Sequence, residues 1–332
     1  MPSHTTPPPL AILCFTALSL LLLPLAGCGQ AGSATTDGRY TVTATTGMIG
    51  DAARAVAGEH ANVQDLMGSG IDPHVYTPRR SDVAKLNNSD IVLYNGLHLE
   101  GRMADLLGRL SARVPTHPVA EIVWQEHLSE ADRAEMGEDP HLWMDPMLWA
   151  EVGTVIAGIL SEFDPDNAED YQANARTWRT ELEELDAYAR QVLDTIPEDR
   201  RHLITAHDAF GYMSRSYGID VHGIQGISSS SEAGLQDLNR LVDFIVEREI
   251  PAVFIESTIP DRNVRALIEG ARSRGHEVVI GGELYSDAMG PSGTYEGTYI
   301  GMIDHNVSTI AAALGGSPPS GGMQAAAANH GN

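Results

Sequence analysis

Two tripeptides echo each other in this 332-residue chain, Asp72-Pro73-His74 and Asp139-Pro140-His141. A proline pushes the residue before it into extended backbone and fixes its own φ. Each histidine therefore leaves a stiffened stem, which suits a metal ligand that must hold its distance to a few tenths of an ångström. One such tripeptide alone would read more readily as a capping or core histidine. The longer strings, Asp72-Pro-His-Val-Tyr-Thr-Pro78 and Asp139-Pro-His-Leu-Trp-Met-Asp-Pro146, are far more specific. A third histidine, His207, lies in Thr205-Ala206-His207-Asp208-Ala209-Phe210-Gly211-Tyr212, where a strand should end and a helix begin. A neutral imidazole there can bind a metal through one nitrogen while a carboxylate or carbonyl holds the other. Asp208 beside it either caps the helix or stands behind the ligands. The run Gly282-Glu283-Leu284-Tyr285-Ser286-Asp287 offers two carboxylates, Glu283 and Asp287, on a loop after a strand. Three imidazoles and one carboxylate make a closed four-ligand site of the kind that suits Zn²⁺. His60, His202, His222, His276 and His305 stand singly and read as packing or surface residues, and Trp143, Trp149 and Trp178 as core.

These residues need a frame, and the stretch Asp164–Ile196 supplies its axis. Asp164 is a good helix cap, Pro165 suits the first helical position, and acidic residues fill the first turn. Tyr171, Ala175, Trp178, Leu182, Leu185, Ala189, Val192 and Ile196 then mark one apolar stripe. Pro197 stops it. The stretch predicts a rod of about 48 Å, either a spine between two lobes or a coiled-coil arm. Strands alternate with helices on both sides of it, which favours the spine.

The first lobe, 40–163, predicts strands at Tyr40–Thr45, Asn62–Met67, Asp90–Asn95 and Pro118–Ala120, with helices at Met48–Ala57 and Leu99–Leu110. The second, 198–315, predicts strands at His202–Ala206, Asp220–Gly223, Ala252–Glu256 and Glu277–Ile280. Its helices are expected at Ala209–Tyr217, Glu232–Glu249, Asp261–Ser273 and Thr298–Leu314. The fold class is α/β: two lobes, each a parallel sheet flanked by helices, joined by one long rigid helix at 164–197. Ligands collect beyond the carboxyl ends of such strands. Residues 316–332, rich in Gly, Ser, Pro and Ala, read as a disordered tail in which His330 is inert.

A formal charge of -24 argues against nucleic acid as a partner. Both cysteines, Cys14 and Cys28, fall within the first 28 residues, so the body holds no disulfide or cysteine metal site. Leu10–Leu25 is an apolar run of signal-peptide type. Leu25-Ala26-Gly27-Cys28 resembles the lipobox of bacterial lipoproteins, which implies a signal at 1–27, acylation of Cys28 and a tether at 28–39. Residues 1 to 9 depart from that pattern in carrying no Lys or Arg, and an ordinary cleaved signal is the other reading.

The four ligand segments resemble those of the TroA-like metal-binding lipoproteins that serve bacterial zinc/manganese ABC importers. The resemblance covers nearly all of 40 to 315, including Asn95-Gly96 with Glu100, Gly226-Ile227-Ser228 with Ser231-Glu232, Phe254-Ile255-Glu256-Ser257 and Glu296-Gly297-Thr298-Tyr299. It implies the ligand set His74, His141, His207 and Asp287, with Zn²⁺ or Mn²⁺ as the transported cargo. It implies a lipid-anchored monomer on the periplasmic or extracellular face of the cytoplasmic membrane, working with the membrane subunits of an ABC permease. The third ligand is His207 where manganese-selective members often carry glutamate, and the long histidine-rich loop of zinc-dedicated members is absent. A zinc hydrolase using three of the same ligands is the alternative, and an adhesin on the same scaffold another. Neither a His-Glu-x-x-His motif nor a nucleophile elbow is present. Metal affinity should fall below roughly pH 6, where ordinary imidazoles protonate.

Overall fold

Short β-rich runs alternate with helical ones from residue 40 onward, and the first four strands pair as their burial demands. β1 (Tyr40–Ala44), β2 (Ala61–Asp65), β3 (Ile91–Tyr94) and β4 (Thr116–Pro118) form one parallel sheet in the order β2-β1-β3-β4. Around and between them lie α1 (Gly47–Ala57), α2 (Arg80–Asn87), α3 (Ala104–Leu110), α4 (Val119–His127) and α5 (Glu130–Met136). This computed structural model describes residues 1–3, 38–231 and 233–325. Cys28, most of the expected signal and tether, and His330 lie outside the described residues. The strand expected at Pro118–Ala120 falls two residues earlier, and Val119 and Ala120 open α4 instead. Pro118 stands at the N-cap of that helix and Glu121 lies in its first turn, where the dipole favours a negative charge.

The spine is α7 (Ala168–Leu193), 26 residues or about 39 Å long. It starts later than expected because Pro165–Asn167 form a 3₁₀ turn, in which the Asp164 carboxylate accepts from Asn167 Nδ2 at 2.8 Å and the Tyr171 hydroxyl at 2.6 Å. It ends earlier because Thr195 and Ile196 bond back by three residues, to Val192 and Leu193. All eight stripe residues are nonetheless buried, so the rod is no arm. Near its start Asn174 donates to the Val56 carbonyl of α1. Near its end the Tyr188 and Ser308 hydroxyls meet at 3.1 Å, tying it to α11 (Tyr299–Ala313) of the second lobe.

Its main companion, α6 (Pro146–Phe163), is a helix the sequence reading left out. Its start is well marked: Asp145 Oδ1 accepts from the backbone of Met147 and Leu148, and Pro146 occupies the first turn. The two helices cross at Gly153, where a Cβ would stand 2.5 Å from Trp178 Cδ1. Only a residue without a side chain permits that approach.

The second lobe holds β5 (His202–His207), α8 (Gly211–Tyr217), β6 (Asp220–Gln225), α9 (Leu235–Glu247), β7 (Ala252–Glu256), α10 (Arg262–Ser273) and β8 (Val279–Leu284). Its strands are parallel but form two ladders, β5-β6 and β7-β8, rather than one sheet. β5 and β7 lie side by side. At the end of β5 the His207 N–H donates to the Glu256 side chain at 2.9 Å, where a continuous ladder would use a carbonyl. β8 runs through Gly281 and Gly282 to Leu284, so Glu283 sits in a strand and not on a loop. Part of the expected tail lies against the body: Ser317 N–H donates to Thr195 Oγ1, and Met323 N–H to Asp304 Oδ2, each at 2.8 Å.

One apolar core runs from Val42 and Ile91 in the first lobe, through Trp149, Trp178 and Leu182, to Tyr212, Phe254 and Tyr299 in the second. A smaller core of Ile204, Val242, Ile245, Val253 and Leu267 packs the outer side of the second lobe. The shared core makes the described residues from Gly38 onward one compact unit, which leaves little freedom for the lobes to swing on the spine. Among the described residues no helix is long and apolar enough to cross a membrane.

Candidate metal centre

The carboxyl ends of β2, β5 and β8 and the segment between α5 and α6 meet at one buried point. His74 follows β2, His141 precedes α6, His207 is the last residue of β5, and Asp287 follows β8 by three residues. The ligand atoms of these four side chains all lie within 4.8 Å of one another. His74 Nε2 is 3.3 Å from His141 Nε2 and 3.9 Å from Asp287 Oδ2. Asp287 Oδ1 is 3.3 Å from His141 Nε2, and its Oδ2 is 3.3 Å from His207 Nε2. His141 and His207 are fully buried, Asp287 is 1% exposed and His74 6%. Glu283 is exposed, its carbonyl lying 2.9 Å from His305 Nε2, and it is not part of the cluster.

Each aspartate-proline stem does a second task. Asp72 Oδ1 accepts from the His74 N–H at 2.9 Å, and Asp139 Oδ1 accepts from the His141 N–H at 3.0 Å. Asp139 Oδ1 also lies 2.6 Å from His141 Nδ1, so the same carboxylate orients the ring. The Asn95 side chain donates to the Pro140 carbonyl at 3.0 Å. Glu100 holds Asn95 in turn, accepting from its N–H at 2.8 Å and from Thr45 Oγ1 at 2.6 Å. Trp143 packs edge-on against His141 and donates to the Ser286 carbonyl at 2.8 Å, which locks the Asp287 loop to the first lobe.

Behind His207 stands Glu256, the last residue of β7. Its Oε2 is 2.6 Å from His207 Nδ1 while its Oε1 takes the His207 N–H. A ring nitrogen held by a carboxylate fixes the tautomer that leaves Nε2 free to coordinate, and it raises the basicity of that nitrogen. At Gly223 in β6 a Cβ would come 2.4 Å from the Asp208 nitrogen, so glycine lets that strand pass close behind the His207–Asp208 peptide. Asp208 caps nothing: α8 begins at Gly211 with no side-chain cap. Sequence reasoning gave no part in the site to Glu256 or Asn95, placed Trp143 only in the core, and used Asp139 only as a stem. Glu256 did carry a signal, a carboxylate closing a buried strand.

Electrostatics divide the four groups. Burial pushes the His74 imidazole down to about 4 despite the pull of Asp287. Burial acts the same way on His141, but Asp139 and Asp287 outweigh it and raise the ring to about 9. His207 is also raised well above the usual value, with Glu256 and Asp287 overcoming burial. Asp287 is held well below the ordinary carboxylate range because the imidazoles of His207 and His141 outweigh its desolvation. Even so, His207 Nε2 and both Asp287 oxygens are buried without a hydrogen-bond partner. Buried polar atoms are rarely left so. Three imidazole nitrogens and a carboxylate facing one point fit a divalent cation with nitrogen and oxygen preferences.

Manganese-binding lipoprotein MntA of Bacillus subtilis is 43% identical over 291 residues, covering 87% of this chain and 95% of that protein. Zinc-binding protein TroA of Treponema pallidum is 44% identical over 281 residues, covering 85% and 91%. The solved structure of the periplasmic zinc-binding protein TroA from Treponema pallidum superposes with a TM-score of 0.79, over 83% of this chain and 99% of that one. The profile of the family described as zinc-uptake complex component A, periplasmic (ZnuA) matches residues 42–313. The chain belongs to that family.

Proposed function

We infer that this protein is the metal-capturing component of an ABC importer, holding one divalent transition-metal ion between its lobes and passing it to a membrane permease. Its ligands are His74, His141, His207 and Asp287. The observation that carries the reading is a buried, four-sided cluster in which His207 Nε2 and both Asp287 oxygens lack any hydrogen-bond partner. All four positions around the ion come from protein, so no site is left for the activated water that a zinc hydrolase needs. The protein binds and releases; it does not transform.

Relatives of nearly equal identity are named for manganese and for zinc, so similarity alone does not choose the cargo. The donor set does. Mn²⁺ sits at the weak end of the divalent series, and three imidazoles favour borderline Zn²⁺. Stripped protein is expected to bind Zn²⁺ more tightly than Mn²⁺ in competition titrations, whichever metal the cell supplies. His207→Glu, which substitutes a harder oxygen donor, should narrow that gap. Tighter Mn²⁺ binding by the wild type would overturn the three-imidazole assignment.

The working place follows from the lipobox at Cys28. Acylation there would tether the body to the outer face of a membrane, where the permease waits. Fractionation tests it: Cys28→Ala protein should appear in the soluble fraction or stay unprocessed, and normal membrane retention would require another anchor.

A further inference from the structure

A second group of metal-binding side chains lies at the opposite end of β5 from His207. His202 opens β5 and pairs in register with Asp220, which opens β6. Side chains two apart on a strand share a face, so His222 stands beside Asp220 on that side. The backbone ladder thus places two imidazoles and a carboxylate on one face by strand pairing alone. His202 Nδ1 is 3.0 Å from Asp220 Oδ2, and His222 Nε2 is 2.9 Å from the same oxygen. All three ligand atoms fall within 4.8 Å of one another.

Phe244 on α9 holds the rings in place. Its ring centroid is 4.3 Å from that of His222 and 5.3 Å from that of His202, the latter edge-on. The imidazoles are therefore packed from behind, at 14% and 28% side-chain exposure for His202 and His222, while the Asp220 carboxylate is 55% exposed. One side of the cluster faces apolar packing and the other faces water. Five residues of strand at about 3.3 Å each put it some ~16 Å from His207, too far to share an ion.

We propose that His202, Asp220 and His222 form a second, solvent-facing site for a Zn²⁺-class ion on the second lobe. Two nitrogens and one oxygen supply three positions, and water completes the fourth. Tetrahedral ligands about 2.1 Å from an ion stand roughly 3.4 Å apart, so the carboxylate moves outward by about half an ångström as the ion enters. Two imidazoles select Zn²⁺, Cu²⁺ or Ni²⁺ over Mn²⁺. With one protein ligand fewer and an open face, the site binds more weakly than the buried one. The net charge of -24 raises the cation concentration around it.

The test is stoichiometry. Stripped full-length protein in equilibrium dialysis against Zn²⁺ should take up one tight equivalent and then one weaker equivalent; against Mn²⁺ the second should be absent. His222→Gln and Asp220→Asn should each weaken the second equivalent by about tenfold or more, since removing even a group behind a ligand costs that much. The tight equivalent should not change in either variant. Both replaced side chains are partly exposed, and melting of the stripped variants checks their fold. Imidazole nitrogen resonances of His202 and His222 should shift only with the second equivalent, a readout that needs no variant. Saturation of the wild type at one equivalent, or a second equivalent indifferent to both substitutions, overturns the site.

Discussion

The two sides of the buried cluster are built on different principles. His141 and His207 are wholly buried, and each has a carboxylate at 2.6 Å behind its ring, from Asp139 and Glu256. His74 has a stiff stem but, among the described residues, no side chain hydrogen-bonded to its Nδ1, and Asp72 secures only its backbone N–H. The far oxygen of Asp72 reaches instead to Ser229, whose hydroxyl donates at 2.6 Å from the loop between β6 and α9. The contrast separates two demands on a carrier. On this contrast the braced side should set how tightly an ion is held, and the lightly held side should be where it enters and leaves. Because the lobes share one core, motion confined to that edge is cheaper than a hinge through the spine.

The widest expected gap lies between deletions on the two sides. Four-ligand zinc sites bind with about 10–16 kcal/mol, so one ligand is worth on the order of 3 kcal/mol, or ~100-fold in affinity. His207→Ala should cost at least that, because it also leaves Glu256 Oε2 buried without its partner, only Oε1 keeping the backbone N–H. His74→Ala removes a ligand near the rim, where water can take the vacant position, and should cost several-fold less. Competition against a calibrated chelator measures both. Equal losses would erase the distinction between the sides.

A substantial part of this site was legible in the residues alone. The paired Asp-Pro-His stems, His207 at a strand end and the carboxylates after β8 are local patterns, and local patterns survive in one dimension. Glu256 was not legible as a partner because it lies 49 residues from His207 and meets it only through the packing of β5 against β7. Trp143 read as core, which it is, yet its indole N–H also spans the lobes to Ser286. The α6 helix was passed over although Asp145-Pro146 repeats the start signal noted at Asp164-Pro165. Its apolar residues cover most of its circumference, from Met147 and Leu148 to Val155 and Ile159, and blur the buried face of Trp149, Gly153, Ile156 and Leu160 that a single stripe would mark. Glu283 shows the opposite error: Gly281-Gly282 looked like a loop, but β8 continues through it with a register shift between Val253 and Phe254.

Proton linkage sharpens the comparison with an effect of intermediate size. In the metal-free protein His141 titrates at about 9 and His207 well above the usual imidazole value, so both hold protons at pH 7.5. His74, pushed down to about 4, holds none. Metal must displace protons from the braced side only, and affinity should keep rising from pH 6 toward 9 instead of levelling near 6.5. The metal-free stability runs the other way. A raised folded pKa contributes stability present below about 6.5 and lost as pH climbs through 9, so the stripped protein should melt lower at pH 9.5 than at pH 6.5. Asp139→Asn removes the charge that raises His141. It should lower the pH at which affinity levels off, reduce proton release at pH 7.5, and cost about 10–100-fold in affinity. Calorimetry in buffers of different ionisation enthalpy counts the protons; release unchanged in the variant would detach Asp139 from the titration.

The smallest expected effect concerns the edge that opens. Ser229→Ala removes the hydroxyl that bridges the loop after β6 to Asp72, and with it the restraint shared by the His74 stem. A hydrogen bond to a charged group is worth about 1.5–3 kcal/mol. Ser229 is only partly buried and water can replace its hydroxyl, so about 1 kcal/mol is the fitting figure, or ~5-fold in a rate. If the ion leaves past His74, that loss should fall mainly on release: dissociation into excess chelator by stopped flow should speed up about fivefold, with the association rate little changed. The matching change on the braced side is Ser216→Ala, which removes a hydroxyl bonded to Asp145 at 2.7 Å, close in sequence to His141 but away from the exit edge. That variant should release metal at the wild-type rate. Faster release from Ser216→Ala than from Ser229→Ala would place the moving edge on the other side of the ion.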